Sequence, residues 1–368
     1  RKENPNPGAP YAPTGKKGLS WWANYSTNRQ ARNLGLFGGL YKRMIVITGA
    51  NGLVGANLAR ALLAQPEGQR VRAVVHRDAR ALAGLDVELV RADLHDPLAL
   101  HQAFNGADIV YHLAASISLS MDDWAALEAT NVAGTRHVLS ACQECGVRRL
   151  VYFSSIHAHQ QTPLDQPLDE SRPLLDDPSA PPYERSKAAA ELEVQRAAAQ
   201  GMDVVTLIPT AILGPYDFKP SLIGKALLLL ARERLPALVS GGYDWVDVRD
   251  VAQGALLAAR LAPAGGVYIL SGHWQSIPAV ARQVDRITGR HVPRPVVPLA
   301  LADLVEPVMK RLGRLNGSQP LYTRAMLTAL RSHREVSHAR AARELGYQPR
   351  PFQETLQDTL GWLLEHFH

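Results

Sequence analysis

Thr48-Gly49-Ala50-Asn51-Gly52-Leu53-Val54-Gly55 is the stretch from which the rest of the chain is read. Before it runs an unbroken apolar segment, Met44–Thr48. After it, small and aliphatic residues recur over Leu53–Ala64 at the spacing of one helix face. The glycines stand at i, i+3 and i+6, where a strand turns sharply into a helix. A side chain at the tight positions would obstruct both the turn and a close approach of the backbone to a ligand. A helix N-terminus offers free N–H groups and a positive dipole end to phosphates. In this strand–loop–helix context the pattern points to a bound dinucleotide, with Gly49, Asn51, Gly52, Leu53, Val54 and Gly55 as its cradle.

Outward from the loop, apolar segments alternate with helical patterns. Strands are predicted at Val71–Val75, Val87–Val90, Ile109–Leu113, Leu150–Ser154 and Val204–Pro209, and helices at Pro97–Phe104, Trp124–Cys145 and Glu184–Ala199. Near-continuously apolar strands alternating with helices make an α/β fold, a Rossmann-type doubly wound parallel sheet covered on both faces. Beyond residue 210 the alternation loosens. Helices are predicted at Leu222–Arg232, Val251–Leu261, Ile277–Thr288 and Leu299–Leu315, then near Tyr322–Arg331, His338–Leu345 and Phe352–His366, with a short strand at Val267–Leu270. The expected division is an irregular extension at 1–43, a dinucleotide-binding domain at 44–215, and a smaller, mainly helical C-terminal substrate lobe at 216–368 with elements returning to the core.

The second strand ends in Val75-His76-Arg77. His76 lies 21 residues after Gly55, where an acid would contact the ribose of NAD. A cation follows instead, and Arg77 suits a 2′-phosphate. NADP is favoured on that ground, while Asp78 keeps NAD open. Ala92-Asp93-Leu94 follows the third strand, and the Asp93 carboxylate suits an adenine amino group. The small residues of Leu113-Ala114-Ala115 would let a dinucleotide lie against the backbone.

Tyr183 and Lys187 stand at i and i+4 at the start of a helix, so phenol and ammonium share one face. A neighbouring ammonium is expected to favour the phenolate and ready the phenol for proton exchange with a carbonyl or alcohol. Ser154 and Ser155 emerge at the carboxyl end of the fifth strand, the edge where ligands bind in this architecture.

These landmarks together resemble an extended short-chain dehydrogenase/reductase of the dihydroflavonol reductase, 3β-hydroxysteroid dehydrogenase and epimerase/dehydratase branch. They run in order as TGANGLVG at 48–55, ADL at 92–94, HLAA at 112–115, NVAGT at 131–135, VYFSS at 151–155, YERSK at 183–187, IPTAILGP at 208–215, WVDVRDVA at 245–252 and ARELGYQPRPF at 342–352. The resemblance implies an NAD(P)-dependent oxidoreductase. Tyr183 would be the acid–base, and Lys187 would tune it and bridge the nicotinamide ribose. Ser155, rather than Ser154, would polarise the substrate oxygen. Asn131 would be a structural or relay asparagine, and Pro209 and Thr210 would line the nicotinamide site. Two departures weaken a sugar-nucleotide substrate: Ile156-His157-Ala158-His159 follows the serines, and Tyr216-Asp217-Phe218-Lys219-Pro220 follows Gly214-Pro215. His157 and His159 are candidates to face the substrate. An NAD-dependent epimerase/dehydratase and a nucleotide-binding structural subunit are the competing functions.

Composition narrows the partners. Residues 1–43 carry eight basic residues and one acid, whereas the remainder carries 32 bases and 33 acids, so the net charge of +6 belongs to the tail. The body therefore offers no nucleic-acid groove, and no apolar run approaches the length of a membrane span. The tail begins at Arg1 and Met44 would make a natural start. The plain reading is an extension with no role in the chemistry; its tryptophans and bases also suit docking on a protein partner or membrane surface, and a remnant targeting segment is a further option. Cys142 and Cys145 read as ordinary helix residues rather than a redox or metal pair. A small-molecule substrate, a homodimer and a cytoplasmic location, with peripheral attachment through the tail as a variant, complete the expectation.

Overall fold

In chain order the strands are β1 (Met44–Thr48), β2 (Arg70–Val75), β3 (Glu88–Arg91), β4 (Ile109–His112), β5 (Arg149–Phe153), β6 (Val204–Pro209), β7 (Ala211–Leu213), β8 (Leu238–Val239), β9 (Gly242–Asp247), β10 (Val267–Leu270), β11 (His273–Ser276) and β12 (Val296–Val297). The helices are α1 (Leu53–Leu63), α2 (Pro97–Phe104), α3 (Trp124–Leu127), α4 (Gly134–Glu144), α5 (Pro182–Ala199), α6 (Leu222–Ala231), α7 (Val248–Leu261), α8 (Ile277–Thr288), α9 (Arg324–Ala329), α10 (Ala339–Leu345) and α11 (Phe352–His366). This computed structural model describes residues 43–367 apart from 67, 119–122, 291, 307–323 and 332. The expected docking arm therefore lies outside the described residues, save Arg43, as does most of the helix expected over Leu299–Leu315.

Seven strands form the central sheet in the order β10-β6-β5-β4-β1-β2-β3. Each neighbouring pair is parallel. The central strands β1, β4, β5 and β6 are buried along their whole length, which is why their sequences are apolar on both faces. Val46, Val110, Leu150 and Tyr152 from the sheet meet Leu100 and Phe104 of α2 and Val138 of α4 in the main core. Helix α2 begins where the sequence signals it: the Asp96 carboxylate accepts from Ala99 N at 3.0 Å and Pro97 occupies the first turn. A second apolar cluster joins Leu227 and Leu230 of α6, Val284 of α8 and Leu356, Leu360 and Leu363 of α11. Among the described residues no helix is long and apolar enough to cross a membrane.

Two features depart from the sequence expectation. The helix expected unbroken over Trp124–Cys145 is interrupted by a π-helical segment, Glu128–Ala133, between α3 and α4. The segment is only six residues long, too short for its wider spacing to stand out in the sequence pattern. The three-stranded sheet β11-β9-β7 was also not foreseen. Its strands are short, and His273–Ser276 is largely polar and half-exposed, so no alternation marks it.

Candidate active site

The strand order reverses between β1 and β4, which opens a crevice at their carboxyl ends. Gly49 sits there with φ of 67°, and a Cβ on it would lie 2.7 Å from Ala114 N. A Cβ on Gly55 would lie 2.4 Å from Gly49 O, so the opening of α1 packs directly on the loop. Gly52 N closes the turn onto Gly49 O at 3.0 Å, and Ala56 N makes a helical bond back to Gly52 O. The N–H groups of Leu53, Val54 and Gly55 precede it, in the first turn, where the helix supplies no acceptor. Leu113 N and Ala114 N donate to Thr48 O and Thr48 Oγ1, each at 3.3 Å, which ties the loop after β4 to the loop after β1. Ala115 beyond them is exposed. The Asn51 side chain does not point along this cradle: its Oδ1 accepts from Ala81 N at 3.0 Å and fixes the turn after β2.

At the end of β2, His76 and Arg77 are both exposed. His76 Nε2 lies 3.1 Å from Asp93 Oδ2, while His95 binds Oδ1 through Nδ1 and its backbone N–H, both at 2.9 Å. The His95 N–H, with the nearby imidazoles, holds the Asp93 carboxyl below the usual range. Arg80 forks onto Asp78 and pulls that carboxyl down to about 2, whereas no ion pair is formed by Arg77 among the described residues. Leu94 is a core residue, packed where a Cβ on Gly134 would lie 3.0 Å from its own Cβ.

The reactive groups gather at the ends of β5 and β6 and the start of α5. Tyr183 has the Ser155 hydroxyl as its hydrogen-bond partner, and Ser155 also accepts from His157 N at 3.3 Å. Lys187 Nζ donates to Phe153 O at 2.7 Å and to Tyr152 Oη at 3.4 Å. Burial lowers the Lys187 pKa to about 8, against the pull of Glu191. For Tyr183 the balance differs from the expectation. Burial raises its pKa, the Ser155 bond works the other way, and Glu184 raises it further. The Lys187 ammonium is committed to Phe153 and Tyr152, so the phenol keeps its proton at neutral pH in this structure.

Ser154 and Asn131 face inward. The Ser154 hydroxyl donates to Glu191 Oε2, and its backbone N–H stitches β5 to Leu207 O of β6 at 2.8 Å. Asn131 lies in the π-helical segment. Its Oδ1 accepts from Ser116 N at 2.7 Å, and its Nδ2 donates to Ser116 O and Ser186 Oγ, each at 2.9 Å. Both amide hydrogens are thereby committed to structure, joining the loop after β4 to the residue before Lys187. Pro209 ends β6, and Thr210 turns its hydroxyl to Asp244 Oδ1 at 2.7 Å.

Of the two candidate histidines, His157 stays at the rim, 3.8 Å from Glu184, and burial holds it neutral by lowering its pKa to about 4. Burial likewise raises Glu184 to about 7. His159 turns into the protein instead, which the sequence did not foresee. Nor did it foresee His112, buried between Thr48 Oγ1 at 2.8 Å and Thr135 Oγ1 at 3.2 Å and lowered to about 3 by burial and Lys187.

A dinucleotide fits these residues. The glycines let the loop pack closely on its own backbone, and the free N–H groups of α1 and the Tyr183–Ser155 pair stand at the same edge of one sheet. The profile of the NAD dependent epimerase/dehydratase family matches residues 45–270. Sterol demethylase protein B of Methylococcus capsulatus is 35% identical over 326 residues, covering 87% of this chain and 98% of that protein. The 2-alkyl-3-oxoalkanoate reductase of Stenotrophomonas maltophilia is 30% identical over 319 residues, 83% of this chain and 94% of its own length. The solved structure of gox2253 matches with a TM-score of 0.78 at 33% identity, covering 89% of this chain and 99% of that one.

Proposed function

The chain belongs to the NAD dependent epimerase/dehydratase family, and from that premise we propose that it is an NAD(P)-dependent oxidoreductase that interconverts a carbonyl and an alcohol by hydride transfer. The observation that carries this reading is the meeting of Tyr183, Ser155 and Lys187 at the carboxyl edge of the sheet. Tyr183 gives a proton to the substrate oxygen during reduction and takes it back during oxidation, while Ser155 donates a hydrogen bond to the same oxygen. Lys187 holds a positive charge behind the phenol and reaches the nicotinamide ribose. The bound nicotinamide supplies or accepts the hydride. Gly49, Gly52, Leu53, Val54 and Gly55 receive the pyrophosphate; Ala114, Ala115, Pro209 and Thr210 border the nucleotide.

NADP is the proposed cofactor, because Arg77 is exposed and free of Asp78, which Arg80 engages. Relatives named for a sterol and a 2-alkyl-3-oxoalkanoate favour an apolar ketone or secondary alcohol as substrate, held by the lobe at 216–368 over the domain at 44–215. A homodimer is part of the same proposal, as is a reducing, cytoplasmic compartment, which suits the free thiols of Cys142 and Cys145.

The test is to identify the nucleotide that copurifies and to titrate NADPH and NADH by fluorescence, then screen apolar ketones. Exchangeable, NADPH-selective binding with turnover that Tyr183→Phe abolishes is the expected result. Stoichiometric, non-exchanging NAD with no net consumption of NADPH would replace it with an internal-redox epimerase or dehydratase. A non-exchanging nucleotide without turnover would replace it with a structural subunit.

A further inference from the structure

Tyr183, Lys187 and Glu191 stand at i, i+4 and i+8, on one face of α5. Ser186, Lys187, Ala188, Ala190, Glu191 and Val194 of this helix are all buried, so Glu191 is an acid placed where solvent cannot hold its charge. One partner is on its own helix and two come from other segments. The Ser154 hydroxyl donates to Oε2, Gln195 Nε2 lies 3.4 Å from Oε1, and His159 Nε2 lies 3.3 Å from Oε2.

The other nitrogen of His159 decides where a proton must be. His159 Nδ1 lies 3.0 Å from Arg172 O, and a carbonyl oxygen only accepts, so Nδ1 carries a hydrogen. A neutral His159 would then present a bare lone pair to the Glu191 carboxylate. Two bare acceptors repel in buried contact, so the pair holds a proton between them, and the upward shift of His159 favours imidazolium with carboxylate. Burial by itself would lower the His159 pKa, but the Glu191 contact outweighs it and the net shift is upward.

We propose that Glu191 is a positioning residue for the Tyr183–Lys187 pair: its carboxylate, anchored by His159 and Ser154, is the buried countercharge that keeps the Lys187 ammonium in place. The role rests on the reaction assigned above to Tyr183 and Lys187. Lys187 meets Glu191 from its own helix, Tyr152 from β5 and His112 from β4, and Tyr152 in turn faces Tyr183. Glu170 is a further acid acting on His159, and Glu184 acts on Tyr183. Of these groups Glu191 is the one that favours the charged lysine, while burial works against it. Ser154 is then the clamp that fixes the carboxylate to the strand carrying Ser155, which explains why the first of the two serines faces inward.

The test reads Lys187 directly in the nucleotide-free protein. Lysine side chains are labelled with 15N, and the Nζ signal of Lys187, one of eight lysines in the sequence, is assigned by its loss in Lys187→Met. Its titration midpoint is expected near 8 in the wild type. Glu191→Gln keeps the shape and removes the charge, and should lower that midpoint by about one pH unit. A general loosening of the fold would hydrate Lys187 and raise its midpoint, so the fall in Glu191→Gln has a sign that loosening does not produce. His159→Gln leaves the carboxylate uncompensated and should raise the titration midpoint with the denaturation midpoint unchanged, and if Glu191→Gln does not fold, that pair of readings decides. A midpoint unmoved in either folded variant overturns the proposal. Turnover supplies a separate arm: in Glu191→Gln the alkaline limit of ketone reduction should fall by the same interval, with NADPH affinity at pH 6.5 unchanged. Wild-type protein that titrates as expected but reduces no ketone would overturn the assigned reaction and leave the charge coupling standing.

Discussion

Gly49 shows how little room the phosphate loop leaves. Its φ of 67° is one that side chains rarely adopt, and the atoms a Cβ would meet are backbone atoms of Leu113 and Ala114 that cannot swing away. Gly49→Ala should therefore weaken nucleotide binding at least tenfold and cost about 1–3 kcal/mol of stability, read by fluorescence titration and denaturant unfolding. Lys187 carries the opposite cost. Its folded pKa, about 8, lies below the ordinary 10.5. Below pH 8 both folded and unfolded chains hold the proton, and the penalty of burying the charge is fully present. Between 8 and 10.5 the unfolded chain binds more protons, so this group makes stability rise with pH. Lys187→Met should accordingly stabilise the protein at pH 7 by on the order of 1–3 kcal/mol, less the lost bond to Phe153 O, while abolishing turnover. An unchanged or lower denaturation midpoint would show that the lysine is not strained by burial. The groups legible in the sequence, Gly49 to Gly55 and the Tyr183–Lys187 pair, are those whose chemistry depends on neighbours within one turn or loop. Glu191 and His112 act across elements and were not read, and His159, read as a candidate to face the substrate, turns into the protein. A signal for Glu191 was present nonetheless, since an acid one turn beyond Lys187 interrupts an otherwise small and apolar face.

The π-helical segment is the clearest case of an element that serves the site. An extra residue in the turn at Glu128–Ala133 places Asn131 where it reaches both Ser116, beyond β4, and Ser186, beside Lys187. The sequence showed an asparagine at a family position and left its part open between support and relay. Its hydrogen bonds favour support. Asn131→Leu would strand Ser116 N and O and Ser186 Oγ without this partner, at about 1 kcal/mol for each bond lost. A loss of about 2–4 kcal/mol is expected in denaturant unfolding, together with a lower kcat from a displaced Lys187. If kcat fell with stability unchanged, relay chemistry would be the better description. Strands and helices of the central sheet were legible because each buries both faces or one stripe. The β11-β9-β7 sheet was not, because its short strands depend on contacts between residues more than 25 apart, such as His273 opposite Trp245.

At the scale of the whole molecule, two landmarks distant in sequence close the structure on itself. WVDVRDVA at 245–252 and ARELGYQPRPF at 342–352 were each recognisable alone, yet nothing in either string shows that they touch. Asp247 caps α7 and binds Arg249 through both oxygens, at 2.9 and 2.7 Å, while Arg249 reaches Asp358 of α11 at 2.7 Å. Arg350 binds Asp250 through its backbone N–H at 2.7 Å and through its guanidinium at 2.8 and 3.0 Å. This latch holds the segment leading into α11, whose Leu356, Leu360 and Leu363 complete the second apolar cluster. Burial raises the Asp250 pKa even with Arg350 opposing it, so the carboxylate depends on that partner for its charge. Arg350→Leu removes the partner and leaves the acid buried, a change expected to cost about 3 kcal/mol at pH 7. The sign of its pH dependence follows from the same shift. With the folded pKa driven higher, the folded variant binds more protons than the unfolded chain over the range between their pKa values, so its stability falls as pH rises there. The deficit relative to wild type should therefore be smaller at pH 4.5 than at pH 7, and limited proteolysis at pH 7 should cut ahead of α11 sooner in the variant. An equal deficit at both pH values would mean that Arg350 holds the C-terminal helix by packing, and that the charge on Asp250 does not depend on it.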